Sequence, residues 1–255
     1  MATLLAVTAG QFTYRRACGR FFVYQSNDLP HFVAHLGLAS AWYGEAESFN
    51  GPAWSVSVEV LLYILFFALC LAGLTRWWHL ASFVGLGLLT RSLDYRVGVG
   101  AASFFSGGLA FLAADRVRRA GLPSAFGSAI AFALLALVVA KVPVLGVGRI
   151  LILFPVAIAA LALAEHGRGS PLPGVAWLGQ ISYSAYLIHF PLQLVFVLAG
   201  LAIPDLAAGG NFYRSPASLA LFFVALIPLS LASYWWFELP TQRAIRGLFG
   251  EDTRH

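Results

Sequence analysis

Charged residues are scarce in this chain: Asp, Glu, Lys and Arg make up 11% of its 255 residues. A soluble domain carries roughly 25% charged residues, so the composition does not fit a solvated globule. Apolar residues make up 60% of the chain, and its mean hydropathy is +0.79. One folded core cannot hide so many apolar side chains, and the surplus has to face a lipid bilayer. The composition therefore predicts an integral membrane protein.

Cysteine is nearly absent as well, because Cys18 and Cys70 are the only two. They share no metal-ligand spacing and predict neither a disulfide framework nor a zinc site. The sequence also lacks a G-x-S-x-G elbow, an H-E-x-x-H pair, a Walker loop and a G-x-G-x-x-G fingerprint. Soluble hydrolase and nucleotide chemistries therefore lose their support, and we expect no metal and no tightly bound cofactor. The net charge of +5 is spread over short loops, which argues against nucleic acid as a partner.

Long apolar runs are present instead, and they predict about seven membrane helices in an all-α, polytopic bundle. The second run is short for a span, so it is tilted, re-entrant or extended by its flanks. The runs are Trp54–Leu74, Leu80–Leu89, Val97–Ala114, Ala125–Ala140, Ile150–Ala164, Ala176–Leu201 and Ala217–Phe237.

Residues 1–50 form an atypical N-terminal segment in which no span is predicted. Arg15, Arg16 and Arg20 lie beside aromatic residues in a basic loop, and His31–Trp42 is apolar enough to lie at a membrane interface. The first ten residues lack the basic flank and cleavage site of a signal peptide, so we expect no cleavage there. A transmembrane domain over 51–246 and a short tail over 247–255 complete the expected organisation.

The distribution of basic residues predicts the orientation, because Lys and Arg favour the cytoplasmic side. If Trp54 begins at the outer face, more basic residues fall inside than outside, which favours a cytoplasmic tail. The inner set is Arg76, Arg116, Arg118, Arg119, Arg168, Arg243, Arg246 and Arg254, and the outer set is Arg91, Arg96, Lys141, Arg149 and Arg214.

A polar stripe opens the first strong helix, within the segment FNGPAWSVSVE that runs from Phe49 to Glu59. Ser55, Glu59 and Tyr63 are four residues apart and share one face of a helix. An acidic side chain in lipid costs a few kcal/mol, so this face should meet protein or water. Two interpretations remain open: Glu59 orients a neighbouring helix, or it takes part directly in a site.

A second polar stripe lies in the segment LGQISYSAYLIHFP, where Ser182, Tyr186 and His189 recur at spacings of four and three. His189 is about 16 Å along its helix and so close to the bilayer midplane. It is either a helix-to-helix hydrogen-bonding residue or a catalyst. Pro191 lacks an N–H and should leave the Leu187 carbonyl without its helical partner, close to His189.

A third segment, WWFELPTQR from Trp235 to Arg243, places an aromatic belt at the end of the last span. We expect Pro240 to stop the helix. In the simplest interpretation Glu238 pairs with Arg243 or Arg246.

Taken together, the three segments resemble the acyltransferase 3 family, integral membrane enzymes that move acyl groups onto hydroxyls of sugars and related acceptors. The resemblance runs from about Phe49 to Arg246 and rests on FNGPAWSVSVE, ISYSAYLIHFP and ELPTQR. It implies a bundle of about ten helices in a bacterial inner (plasma) membrane. It also implies transfer of an acetyl or other short acyl group from acyl-CoA, on the cytoplasmic side, to a carbohydrate or lipid-linked sugar acceptor.

The chain also departs from the family pattern. Members usually open with a helix that carries a basic residue and, ten residues further on, a histidine taken to be catalytic; no such helix is recognisable here. We therefore expect the N-terminal helices to be missing and the chain expressed from Met1 to have little activity. A non-catalytic remnant, or a membrane carrier that binds a solute with the same polar stripe, are the alternatives.

The resemblance and the stripes together give the candidate site residues. In the absence of the usual histidine, His189 is the candidate base, with Glu59 orienting it or an acceptor. Arg15 and Arg16 resemble the family's basic loop, which is thought to contact the donor. The other candidate substrate-binding residues are Trp54, Ser55, Tyr63, Ser182 and Tyr186.

Overall fold

The computed structural model describes residues 2–42, 48–121, 130, 133, 149–165, 174, 176–203, 213 and 215–248. These residues form helices, turns and loops, and no β-strand occurs among them. The predicted all-α fold is therefore confirmed. Nearly all of the predicted run Ala125–Ala140 and most of the tail over 247–255 lie outside the described residues.

The described α-helices vary widely in length. In chain order they are α1 (Ala2–Cys18), α2 (Leu29–Leu36), α3 (Trp54–Leu71), α4 (Trp77–Thr90), α5 (Tyr95–Arg119), α6 (Phe154–Glu165), α7 (Ala176–Ala202), α8 (Pro216–Ser233) and α9 (Leu239–Leu248). Short 3-10 turns occupy Ser40–Trp42 and Gly51–Ala53, and π-helical turns occupy Arg149–Leu153 and Tyr234–Glu238.

Four stretches among the described residues are long and apolar enough to cross a membrane. They are Gly51–Leu71, Tyr95–Arg119, Ala176–Ala202 and Pro216–Leu248. The run at α4 forms a helix of only 14 residues, as its short apolar stretch suggested. An integral membrane protein is the class that these helices support.

The helices belong to two compact units. The first contains Met1–Ser57 and Gly174–His255, and the second contains Val58–Pro173, so one boundary falls within α3. In the first unit α1 packs on α7, and α7 packs on α8. Its core contains Leu4, Val7, Phe49, Phe190 and Leu194. Residues of the N-terminal segment therefore contribute to this core together with residues of the predicted span at α7.

Helix α1 was not expected, because polar residues interrupt its apolar run. Gln11 lies in the middle of the helix, and Arg15 and Arg16 occupy its last turn. Packing explains why the helix forms, since Val7 and Gln11 are completely buried against the rest of the unit. Gly10 permits the close approach, because a Cβ at this position would lie 2.6 Å from a methyl of Leu194.

Helix α2 has a clear start signal at Asp28, whose carboxylate accepts a hydrogen bond of 3.0 Å from the His31 N–H. Pro30 occupies the first turn, where a missing N–H costs little. The outer face is apolar and exposed, with Leu29 at 73% and Val33 at 57%. An apolar, exposed face is what a helix at a membrane interface presents, and the interfacial position of this stretch stays a prediction.

In the second unit, α4 and α5 pack closely at two glycines. A Cβ on Gly87 would lie 2.7 Å from both the Ala102 nitrogen and the Gly98 oxygen, which are backbone atoms that cannot easily move. Beside this contact Phe83 and Phe105 stack with their ring centroids 4.8 Å apart. Helix α6 also packs on α5.

The expectation that Pro240 stops the last helix is wrong. Helix α8 continues through the π turn Tyr234–Glu238 into α9, which begins at Leu239. Pro240 is the second residue of α9, a position where the lack of an N–H and the fixed backbone angle are tolerated.

Candidate active site

The beginning of α3 and the middle of α7 are joined through Tyr186. The Tyr186 hydroxyl donates to the Pro52 carbonyl at 2.7 Å, and the Ser55 hydroxyl lies 2.7 Å from the same phenol oxygen. The Ser55 hydroxyl also lies 3.2 Å from the Pro52 carbonyl oxygen, so the two hydroxyls share this acceptor and either can donate to the other. Two of the three sequence segments therefore meet at this point.

His189 lies at the centre of α7, one turn after Tyr186. Its Nδ1 is 2.5 Å from the Tyr186 carbonyl oxygen, and the two rings have centroids 5.5 Å apart. A carbonyl can only accept, so Nδ1 carries the proton and Nε2 carries the lone pair in the neutral ring. Within the described part of the chain, Nε2 makes no hydrogen bond. The imidazole is thus oriented by its own helix, with its basic nitrogen available to a substrate.

Pro191 has the predicted effect on the backbone beside His189. It cannot donate to the Leu187 carbonyl, which instead accepts from Asn50 Nδ2 at 3.3 Å. Asn50 is 4% exposed, and its Oδ1 is buried with no hydrogen-bond partner among the described residues. A buried acceptor left open is uncommon, and here it lies where the helix backbone is already disturbed.

The turn that presents Asn50 is strained and held on both sides. Phe49 has φ of 41°, a region that a bulky residue adopts at a cost of order 1–3 kcal/mol. Its N–H donates to Asn27 Oδ1 at 2.5 Å, and its carbonyl accepts from Gln11 Nε2 at 3.4 Å. Side chains from α1 and the following loop therefore fix the start of the FNGPAWSVSVE segment.

A buried serine–histidine pair precedes this turn. His35 Nε2 lies 3.0 Å from Ser48 Oγ, and both residues are buried. Burial lowers the pKa of His35, and a hydrogen bond with the Ser48 backbone offsets only part of that shift. The pair is therefore uncharged at neutral pH and ties α2 to the Phe49 turn.

The remaining predicted site residues lie in other contacts. Glu59 and Tyr63 belong to the second unit, where the Tyr63 hydroxyl donates to the Glu59 carboxylate. The Ser182 hydroxyl donates within its own helix, to the Gly179 carbonyl at 2.7 Å. The structure thus gathers Ser55, Tyr186 and His189 into one cluster.

The residues predicted to contact the donor occupy the last turn of α1. Arg15 and Arg16 are exposed there, and the Arg15 guanidinium lies 4.7 Å from the centre of the Phe21 ring. Trp54 is the first residue of α3 and is half-buried. Their roles in substrate binding remain predictions.

Several polar residues around the cluster were missed by the sequence analysis: Gln11, Asn27, His35, Ser48 and Asn50. The sequence pattern did indicate a helical face that contains Gln11: Val7 follows Leu4 by three residues, and Gln11 follows Val7 by four. All three residues are buried in the structure. Asp28 followed by Pro30 is also a recognisable helix start. The tertiary partners of Asn27 and Ser48 could not be read from spacing.

Glu238 is bound differently from the ion pair suggested for it. Its carboxylate accepts from the buried Ser184 hydroxyl at 2.9 Å and from Gln242 Nε2 at 3.2 Å. Ser184 Oγ also lies 3.2 Å from the Ser233 hydroxyl oxygen. The carboxylate therefore connects the third segment to α7 through hydroxyl and amide groups.

A comparison with protein-family models matches a longer part of the chain than the three segments do. A family model described as an acyltransferase domain, that of the acyltransferase 3 family, matches residues 1–239. The match begins well before Phe49, so it includes α1, α2 and the Phe49 turn. Neither a curated protein nor a solved structure gives a significant match to the chain.

Proposed function

The chain belongs to the acyltransferase 3 family, and we propose that it transfers an acetyl or other short acyl group from acyl-CoA to a hydroxyl of a carbohydrate or lipid-linked sugar. A membrane acyltransferase is the class that the family match supports. The donor, the acceptor and the residues that carry the reaction are our proposal.

The observation that carries the proposal is the state of His189. Its Nδ1 is committed to the Tyr186 carbonyl, so the basic Nε2 is available at the centre of a membrane helix. A histidine held in this way is suited to general base catalysis, which typically contributes about 10²- to 10⁴-fold in rate.

In the proposed reaction His189 Nε2 removes the proton of the acceptor hydroxyl while its oxygen attacks the thioester carbonyl. The C–O bond forms, the tetrahedral intermediate collapses, and the C–S bond breaks. The imidazolium then returns its proton to the departing thiolate, so protons and charge balance. An ester and free coenzyme A are the products.

Tyr186 is a positioning residue in this scheme. Its hydroxyl is fixed by Pro52 and Ser55, and its ring lies against the His189 ring. Loss of the hydroxyl should let both rings move, and a hydrogen bond worth about 1.4 kcal/mol corresponds to tenfold in rate. We expect Tyr186→Phe to lower kcat about tenfold with little change in the pH at which activity is half-maximal.

The test uses the purified chain and labelled acetyl-CoA with a glycan acceptor, and transfer by the parent chain would contradict the expectation, drawn from the family pattern, that the chain expressed from Met1 has little activity. His189→Ala should abolish transfer, whereas His31→Ala, outside the cluster in α2, should retain it. Both variants are compared with the parent by size-exclusion profile and unfolding midpoint, so that misfolding is recognised. Transfer that survives His189→Ala in a folded protein would contradict the role given to His189.

We also propose a plasma-membrane location with the tail after Glu238 on the cytoplasmic side, from the bias of the basic residues. A reporter enzyme that is active only outside the cytoplasm, fused after His255, should be silent. The same reporter fused after Asp94, in the loop between α4 and α5, should be active, because that loop lies on the opposite side in this topology. Strong activity of the fusion at His255 would reverse the orientation.

A further inference from the structure

A concave site lies in the unit Val58–Pro173, between the start of α4 and the end of α5. It encloses about 710 Å³, a volume within the usual range for small-ligand sites. We refer to it as the arginine pocket. Its lining is Thr75, Arg76, Trp77, Trp78, Leu109, Leu112, Ala113, Asp115, Arg116 and Arg119.

The charge of this pocket is strongly positive. Three arginines line it, and one carboxylate, Asp115, opposes them. Asp115 accepts from Arg119 Nη2 at 2.6 Å and from the nearby Arg118 Nη2 at 2.5 Å. Because this carboxylate is shared by two guanidinium groups, it cannot neutralise the arginine pocket.

Two of the lining arginines have no anionic partner in the described residues. The Arg76 guanidinium lies 5.0 Å from the centre of the Trp78 ring, where the indole orients it without neutralising it. Arg116 makes no side-chain hydrogen bond or ion pair with any described residue. Both are therefore free to bind an anion that enters the pocket.

The shape and chemistry of the lining indicate which anion. Arginine forks match the oxygens of phosphate groups, and the Trp77 and Trp78 indoles offer apolar surface beside them. The N–H groups in the first turn of α4 add donors at the same edge, and Arg76, the residue before that turn, forms no side-chain cap. These features favour a ligand that carries a phosphate ester next to an apolar or heterocyclic part.

We propose that the arginine pocket binds a phosphate-bearing ligand through Arg76, Arg116 and Arg119. Two sources share this chemistry: the phosphates of a coenzyme A thioester and the headgroup of an anionic phospholipid. The coenzyme arm rests on the proposed function, whereas the lipid arm does not.

The experiment measures binding to the full chain, purified in a neutral detergent. Titration calorimetry with coenzyme A and with ADP tests the nucleotide source, and native mass spectrometry with phosphatidylglycerol tests the lipid source. Arg116→Gln and Arg119→Gln are compared with Arg91→Gln, an exposed arginine at the opposite end of α4. Loss of one charge-assisted contact should weaken binding about tenfold or more, and raised salt should weaken it further.

Each possible result either supports or overturns the proposal that the arginine pocket binds phosphate. Weakened coenzyme A binding in the two pocket variants, with Arg91→Gln like the parent, supports the proposal with a nucleotide ligand. The same pattern for phosphatidylglycerol alone supports it with a lipid ligand. Equal binding of all ligands by all variants, or no binding by the parent, overturns it. Arg116→Lys, which keeps the charge, should restore part of the affinity if the anion is bound there.

The acyl-transfer assay separates this inference from the proposed function. A chain that binds phosphate at these arginines but transfers no acyl group would refute the proposed function and leave the arginine pocket standing. A chain that transfers acyl groups with unchanged donor affinity and lipid retention in Arg116→Gln and Arg119→Gln would refute the arginine pocket alone.

Discussion

Replacing Gln11 by alanine should destabilise the first unit more than any exposed polar substitution near it. Gln11 is completely buried and takes part in three hydrogen bonds. Nε2 donates to the Phe22 carbonyl at 3.0 Å and to the Phe49 carbonyl at 3.4 Å, and Oε1 accepts from the Phe22 N–H at 2.9 Å. The side chain therefore ties α1 to two loop segments at once.

The magnitude follows from the groups that lose their partner. Alanine leaves the Phe49 carbonyl and the Phe22 N–H without their Gln11 partner, whereas the Phe22 carbonyl keeps the hydrogen bond of 2.7 Å that it accepts from the Tyr24 N–H. Each unsatisfied buried group costs about 1–3 kcal/mol, and water can serve part of the Phe22 peptide. We expect a loss of about 2–4 kcal/mol, which lowers the unfolding midpoint by about 5 to 15 °C for a chain of this size.

Gln25→Ala is the matched control, because the Gln25 side chain donates to the Phe21 carbonyl at 3.0 Å but is exposed. Its midpoint should change by no more than about 2 °C, since surface substitutions usually fall within about 0.5 kcal/mol. The assay is thermal unfolding in detergent, followed by circular dichroism and by the size-exclusion profile. Equal midpoints for the two variants would refute the view that the Gln11 bonds hold α1 in place.

Three further substitutions test other parts of the structure. Gly87→Ala should lower the free energy of unfolding by about 1–3 kcal/mol, because the new Cβ meets backbone atoms of α5. Gly85→Ala is the control, since open space surrounds this position, and it should be neutral or slightly stabilising in the same unfolding assay. Burial lowers the pKa of His35 from its ordinary value of 6.5. The stability that neutral His35 contributes is therefore present above pH 6.5 and is lost as the pH falls towards the folded-state pKa. In His35→Gln the unfolding midpoint should fall less steeply below about pH 6.5 than in the parent. Asn50→Leu should cost about 1–3 kcal/mol by leaving the Leu187 carbonyl unpaired, and an unchanged midpoint would contradict that hydrogen bond.

The fold class was predictable because hydropathy depends on composition and run length. Runs starting at Trp54, Val97, Ala176 and Ala217 were placed close to the four helices long enough to span. Helix α1 was not predictable in this way, since Gln11 and the arginines lower its mean hydropathy. Its stability comes from packing against α7, which is a tertiary effect.

The candidate site was predictable in part. Helical spacing placed Tyr186 and His189 on one stripe, and the missing N–H of Pro191 predicted the free Leu187 carbonyl. Spacing could not show that Asn50, distant in sequence, would donate to that carbonyl. It also could not show that Glu59 bonds to Tyr63, because a shared helix face only makes such a bond possible.

The π turn at Tyr234–Glu238 allows the chain to lose one residue at this point without changing the direction of the helix that follows. A π turn holds one residue more than an α turn, so the removal of one residue leaves an ordinary α turn. Deletion of Trp236, an indole that is 82% exposed, should therefore remove little packing and keep Glu238 facing Ser184. Deletion of Leu221, in the regular α-helix well before the turn, should instead rotate Glu238 by about 100° around the helix axis and separate it from Ser184.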